Sequence, residues 1–361
     1  VARSISGTML AAQKASEKVP YIRIAINSID LSGRLLFMEY IEEPYRDRAT
    51  LVFRNDDRYF DSNSFVGYNF QIGLGFTTGS GDEYCGDGTS DGTPRLYVRS
   101  QEIVSSEGEI VCQLYCTGLW QFLRERYAQV IAENEGASAP LYHYTFNEFS
   151  NDYTIYDLIE NVLETVLGWT LEASIVGGSD GIIDVIYPRI SVNVSRSGGQ
   201  ITLDSYAEFL YELLGLTKCY LRQKSDTNWE LVHPQSGDSV DETYCIPQSQ
   251  ATAQDEMVAY EYMERETEPI PNRIYTACNS PDGDDWSSLV TGDSGAPSGN
   301  YPEQFEVYII PWIDNQTDAD NVAAAIQTRI NSETSFRRAI VPHDCRVELY
   351  DKIEVQDQRG H

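Results

Sequence analysis

The chain has 361 residues, enough for two or three domains, and its 56 acidic against 26 basic residues give a formal net charge of -30. That balance excludes duplex DNA and anionic membrane surfaces as natural ligands, because phosphate is repelled on average. With 41% hydrophobic and 11% aromatic residues the chain buries real cores, so it is no disordered acidic tail.

The first 18 residues read as a terminal arm, a short helix with Met9, Leu10, Gln13 and Lys14 after Ser6, broken at Pro20. From Tyr21 the period becomes two. Ile22, Ile24 and Ile26 alternate with Arg23 and Ala25, and the same rhythm recurs at Leu51 and Phe53, at Leu96 and Val98, and from Glu109 to Cys116. Turn clusters at Asn55-Asp56-Asp57 and Gly79 to Asp82 separate these pieces, which predicts an antiparallel β domain over 21–118. The uncharged run Ser62 to Gly81 holds five glycines and cannot be a membrane helix.

Helical texture follows, first with Leu119, Phe122, Leu123, Val130 and Ile131 on one face. The clearest helix comes next: Ile155, Leu158, Ile159, Val162, Leu163, Val166 and Leu167 recur in alternating steps of three and one, Thr154 and Asp157 form a cap, and Gly168 ends it. Ser205 and Glu208 make a second capping box before Phe209, Leu210, Leu213 and Leu214, with Gly215 as the expected stop. Short strands are expected at Ile182 to Tyr187 and Asn228 to Val232, giving an α+β module over 119–253. Alternation then returns at Phe305, Val307 and Ile309, and at Val347, Leu349, Ile353 and Val355. Between them Thr317 should cap a helix to about Ser332 whose stripe of Val322, Ile326 and Ile330 suits the flank of a barrel. The predicted fold class is therefore α+β, mostly β: an N-terminal arm (1–20), a first antiparallel β-barrel-like domain (21–118), a helix-rich α+β module (119–253) and a second β-barrel-like domain with one helix (254–361).

No convergent catalytic set emerges, and no catalytic, cofactor-binding or metal-binding residue is assigned. Gly292-Asp293-Ser294-Gly295-Ala296-Pro297 resembles the nucleophile motif of trypsin-like proteases, but neither His143 nor His233 has the setting of a partner base, and the surrounding Gly/Ser/Asp/Pro run reads as a loop. Asp82, Glu83, Asp87 and Asp91, and likewise Asp282, Asp284 and Asp285, offer hard oxygen ligands but lack EF-hand spacing, so they read as solvated turns. Glu39, Glu42 and Glu43 are sequence neighbours, the wrong arrangement for carboxylates facing across a cleft. Cys112 and Cys116, four apart on a strand, sit ~13 Å from each other, beyond disulfide or shared-zinc reach, and read as small core residues. His343-Asp344-Cys345 is read as a turn, and Asn193 and Asn315 head glycosylation-type triplets of a kind common by chance. Seven scattered cysteines favour a reduced setting. The segment Ile353 to His361 reads as a strand and turn cut short, so a longer parent protein is expected.

Several stretches together carry a family likeness. They are the opening Ser4 to Lys14 with Pro20-Tyr21-Ile22-Arg23, the helix Thr154 to Leu167 with Gly168-Trp169, Ile182 to Pro188, the capped helix Ser205 to Leu214, and Trp229-Glu230-Leu231-Val232 before His233-Pro234. Pro271 to Tyr275, the helix Asp318 to Ser332, and Cys345 to Ile353 complete the order. This arrangement resembles the tail hub, or baseplate hub, proteins of tailed bacteriophages and related contractile injection machines. The resemblance implies a non-enzymatic structural virion protein at the tail tip, assembled in the host cytoplasm and needing no cofactor. It implies a homotrimer whose two barrels per subunit form a ring of pseudo-sixfold symmetry that lets DNA pass. Expected partners are the tail tube or distal tail protein, the tape measure protein and tail-tip or receptor-binding proteins, with no specific nucleic-acid binding and no stable membrane insertion. Two other readings stand beside it. The 24 tyrosines and 5 tryptophans suggest a secreted acidic carbohydrate-binding protein or hydrolase, and the acidic loops suggest a calcium-stabilised adhesin.

Overall fold

In the computed structural model, residues 2–15, 17–88, 91–125, 154–173, 183, 194–197, 200–203, 205–235, 237–246, 257–278, 290–297, 302–310 and 316–356 are described. The fold is α+β, mostly β, with barrel-like domains. The arm forms helix α1 (Gly7–Lys14), whose N-terminus is capped by the Ser6 hydroxyl accepting from the Met9 N–H at 3.0 Å.

Nine strands follow: β1 (Pro20–Ile26), β2 (Ile29–Asp30), β3 (Leu35–Glu43), β4 (Arg46–Arg54), β5 (Asn69–Phe70), β6 (Ile72–Thr78), β7 (Gly81–Tyr84), β8 (Leu96–Ser106) and β9 (Glu109–Gly118), with the one-turn helix α2 (Tyr59–Ser62) before β5. They make two antiparallel sheets, ordered β2-β1-β6-β7 and β3-β4-β9-β8-β5. The alternation does the work expected of it: Ile24, Ile26, Leu51, Phe53, Ile72, Leu96 and Leu114 all face one core. Cys112 and Cys116 join them as buried residues, and burial pushes both thiols up to about 12.

Helix α3 (Leu119–Glu125) leads into the middle of the chain; Val130 and Ile131 lie outside the described residues. Helix α4 (Ile155–Glu160) has the expected capping box, Thr154 with Asp157, and runs on as a π-helical turn over Asn161–Val166. Gly168, at φ +68°, closes it in the left-handed conformation that glycine adopts freely. Strands β10 (Thr170–Leu171), β11 (Val194–Ser197) and β12 (Gln200–Leu203) follow, the last two pairing as a hairpin. Apart from Ile183, the strand expected at Ile182 to Tyr187 falls outside the described residues. Helix α5 (Tyr206–Gly215) carries the second capping box, Ser205 with Glu208. Gly215, expected as the stop, is instead the last helical residue, and the end is closed by the Thr217 hydroxyl donating to the Leu214 carbonyl at 3.0 Å. Strands β13 (Tyr220–Gln223) and β14 (Asn228–Val232) pair antiparallel, and β10 adds to β14 in parallel.

The remaining strands are β15 (Glu242–Cys245), β16 (Met257–Val258), β17 (Glu261–Glu266), β18 (Arg273–Cys278), β19 (Val290–Asp293), β20 (Phe305–Ile310), β21 (Ser335–Ile340) and β22 (Ile353–Gln356). Their pairing is mixed: β17 and β21 are antiparallel, whereas β18 pairs in parallel with β20, and β15 with both β16 and β22. Alternation reports which face is buried and not strand direction, so the parallel pairs were invisible in it. Helix α6 (Gln316–Glu333) starts one residue before the expected cap Thr317; the Gln316 carboxamide donates to the Thr291 carbonyl at 2.7 Å and to Asp320 at 3.0 Å. The helix lies across β18 and β19. Gly292 makes that approach possible, since a Cβ there would meet the Ala319 carbonyl oxygen at 2.1 Å.

Val347 and Leu349, expected on a strand, lie in an irregular segment. Their carbonyls accept from arginine side chains, Val347 from Arg3 at 3.1 Å and Leu349 from Arg222 at 2.9 Å. Only Ile353–Gln356 of that alternating run joins a sheet. No helix among the described residues is long and apolar enough to cross a membrane.

Candidate functional site

The residues singled out in the sequence do not converge. The Ser294 hydroxyl accepts from the Ile274 N–H at 2.9 Å, and its own proton faces Gln327 Oε1 at 3.5 Å. Asp293 is held two-pronged by Arg273, at 3.0 and 2.6 Å, and Gly295 has φ +90°. The protease-like motif therefore builds a tight turn beneath α6. Of the two histidines weighed as its base, His233 follows β14 and lines a different part of the molecule, and His143 is outside the described residues.

Two carboxylates of the first acidic loop, Glu83 and Asp91, hold the arm. Glu83 accepts from the Ser6, Thr8 and Thr78 hydroxyls, which hold its carboxyl below the usual range. Asp91 accepts from the Ser4 N–H at 3.2 Å and Asp82 from the Thr77 hydroxyl at 2.6 Å. No group of three or more potential metal ligands converges among the described residues. Asp282, Asp284, Asp285, Asn193 and Asn315 lie outside them. The triplet His343-Asp344-Cys345 splits three ways, as a turn would. His343 packs its ring on Phe76 at 5.2 Å, Asp344 accepts from Tyr244 at 2.8 Å and is paired with Arg346, and the Cys345 thiol donates to Gln13 at 2.9 Å.

Two constellations were not legible in the sequence. The first is a buried chain of charges at the meeting of arm, first β domain, middle module and C-terminal segment. Arg3 bonds Glu42 at 2.7 Å and pairs with Glu348 at 3.2 Å; Arg222 bonds Glu230 at 2.7 Å and Asp351 at 3.0 Å, and reaches Glu348 at 3.9 Å. The side chains of Arg3, Arg222 and Glu348 are only 2 to 3% exposed. Glu39 and Glu43 are exposed, so of the three neighbouring glutamates Glu42 alone enters the network, where Tyr40 also donates to it at 2.7 Å. Burial pushes the Glu348 carboxyl up to about 7, against the pull of Arg3 and Arg222. Beside it, burial and the nearby Glu42 charge push Asp47 up to about 8, with Arg3 opposing.

The second is a tyrosine-lined cleft where the β3–β4 turn, α5, β13, α6 and the C-terminal segment meet. One lobe, about 460 Å³, is walled by Tyr45, Tyr211, Tyr220 and Tyr350, with Lys218, His233 and Arg329 also lining it. A second lobe of about 520 Å³ continues past Tyr45 and Tyr211 to Trp120, Arg124, Glu208 and Glu212. The rings interlock: Tyr45 lies 4.6 Å from Trp120 and edge-on to Tyr211 at 5.5 Å, while Tyr220 lies 4.8 Å from Tyr350 with the Arg329 guanidinium 4.7 Å over its face. Tyr45 (φ +60°) and Tyr350 (φ +71°) are both in the left-handed region, a strain of about 1–3 kcal/mol each for a bulky residue. Both hydroxyls are buried; that of Tyr350 completes no hydrogen bond among the described residues, while that of Tyr45 faces the Arg329 guanidinium. Burial pushes the Tyr45 phenol up to about 12, the adjacent Arg329 opposing, and raises Tyr350 as well. The abundance of tyrosine was visible in the sequence, but not its convergence.

No protein family's sequence pattern matches the chain, and no curated protein is significantly similar to it in sequence. Its fold, in contrast, matches solved structures. The tail protein from Neisseria meningitidis MC58 superposes with a TM-score of 0.62 at 10% identity, over 94% of this chain and 87% of that one. The 43 kDa tail protein of prophage MuSo2 from Shewanella oneidensis superposes with a TM-score of 0.53 at 10% identity, over 95% and 89%. The chain shares their fold along nearly its whole length.

Proposed function

We propose that this chain is a structural component of a phage-type tail, acting as the hub that joins the tail tube to the tail tip. The observation that carries the reading is the end-to-end fold match, covering 94% of the chain, to a protein described as a tail protein. In this reading three copies close into a ring of pseudo-sixfold symmetry, with both β regions of each subunit contributing to its wall. Its neighbours are the tail tube or distal tail protein, the tape measure protein and tip or receptor-binding proteins, and it resides at the virion tail tip. Three copies bring a formal -90, three times the -30 of one chain. An acidic wall lets DNA pass without the counterion release that makes phosphate contacts adhesive.

The chain also offers surface for assembly. Phe305, Val307 and Ile309 form an apolar row on β20, an edge strand, and are 63, 52 and 72% exposed. Such an apolar row on a strand that is at the sheet edge among the described residues is what a neighbouring subunit would cover. Light scattering with negative-stain class averages tests the reading: the expected result is a ring of three times 40.7 kDa. A particle that stays monomeric both alone and with its tail-tube partner would overturn it.

A further inference from the structure

We propose that the tyrosine-lined cleft binds an anionic saccharide, a pyranose bearing a carboxylate or a phosphate. This goes beyond the assembly role and does not depend on it. Three observations point to a ligand. Of the six non-glycine residues with positive φ among the described residues, four are Asn27, Ser28, Arg58 and Asp226, and the other two are the bulky Tyr45 and Tyr350. These two come from opposite ends of the chain and wall the same lobe. Strain in such residues persists where a site over-determines it. The Tyr350 hydroxyl is buried with no hydrogen bond among the described residues, and the Tyr45 hydroxyl faces the Arg329 guanidinium, which leaves polar groups a ligand hydroxyl could engage. The combined volume of the two lobes suits a small ligand rather than a trapped water.

The chemistry of the lining selects the ligand. More than one residue in seven of this chain is Asp or Glu, yet among the described residues none lines the lobe walled by Tyr45 and Tyr350. Its polar groups are hydroxyls (the tyrosines, Thr328 and Ser332) and the basic side chains Lys218, His233 and Arg329. Hydroxyls pair with sugar hydroxyls in either direction, the guanidinium and ammonium meet an anionic substituent, and flat ring faces accept the C–H face of a pyranose. A nucleobase or an extended peptide would need carboxamide or carboxylate partners for its amide edge, and this lobe supplies none. Tyr211, 57% exposed and edge-on to Tyr45, is the platform at the mouth. A second sugar unit would extend past it toward Arg124.

Saturation-transfer NMR on the whole chain tests this with glucuronic acid, glucose 6-phosphate, glucose and inorganic phosphate as probes. The expected result is saturable millimolar binding of at least one anionic sugar, ~10-fold tighter than glucose. The two anionic probes show whether carboxylate or phosphate is preferred. Tyr211→Ala, at an exposed position, should weaken that binding ~10-fold with an unchanged melting curve, and Lys218→Gln or Arg329→Gln should narrow the gap to glucose. The proposal is overturned if neither anionic sugar binds saturably, if inorganic phosphate competes as well as the sugar phosphate, or if Tyr211→Ala binds like the parent.

Discussion

The N-terminal and C-terminal β regions use similar alternating strands but close their cores differently. In the first, two long antiparallel sheets face each other, and nearly all of the buried cluster comes from residues 24–116, completed by Met9 of the arm and Cys345. In the second, short strands run in mixed directions, and the cluster that α6 builds across β18 and β19 is continuous with the core of the middle module. Ala319, Val322, Ala323 and Ile326 of α6, with Ile274 of β18, lie in the same cluster as Leu158, Leu210, Leu213 and Trp229 of the middle module. The first region is self-sufficient in apolar contacts, whereas the C-terminal region is stabilised through its neighbour. The buried charges of Arg3 and Arg222 span the seam between the two halves.

That contrast can be broken at its seam. Arg222→Ala leaves Glu230, Glu348 and Asp351 without their central cation, and a loss of about 4 kcal/mol is expected from uncompensated buried charge. Denaturant unfolding should show the β13, α6 and C-terminal elements loosening together. A loss below about 1 kcal/mol would mean that the seam does not couple the halves. Leu51→Ala, in a fully buried position of β4, should cost roughly 3 kcal/mol. Hydrogen exchange should place that loss in the first β domain, with protection of α5 and α6 unchanged; equal loss in both would contradict the self-sufficiency of the first core.

A gentler probe is pH. Asp47 and Glu348 have folded-state values of about 8 and about 7, above those of the unfolded chain, so the folded state retains protons that the unfolded state has released. Stability contributed this way is intact near pH 4 and is lost as pH rises to about 8. The opposite sign holds for Asp30, Asp57 and Asp293, which hydrogen bonds with arginine or backbone hold low and which lose their contribution only in stronger acid. Melting at pH 5 should exceed melting at pH 8 by the equivalent of roughly 2 kcal/mol, and Asp47→Asn should flatten the slope. An unchanged slope in that variant would remove Asp47 from the network.

What could be read in advance was local. Capping boxes at Thr154 and Ser205 and the period-two runs of the first domain need only residues within a few positions, and the structure has them where the sequence placed them. Val347 and Leu349 had the same alternation but no strand, because their carbonyls are claimed by Arg3 and Arg222 from far away. The tyrosine cleft was hidden for a related reason. Left-handed backbone is signalled by glycine, and at 45 and 350 the chain uses tyrosine. Of the three neighbouring glutamates dismissed as a catalytic pair, one, Glu42, enters a buried pair with residue 3, a contact that no local pattern announces.

The link from Arg3 to the Val347 carbonyl joins positions 344 residues apart. On a ribosome adding roughly 5–20 residues per second, the arm would wait about 20 to 70 s for its partner to emerge. Over that interval the Arg3 guanidinium must stay hydrated and Met9 lacks the Cys345 segment that completes its surroundings. Docking of the 345–348 segment onto the arm thus has to follow synthesis of the whole stretch between them, so the first β region can build its core before the charge of Arg3 is paired.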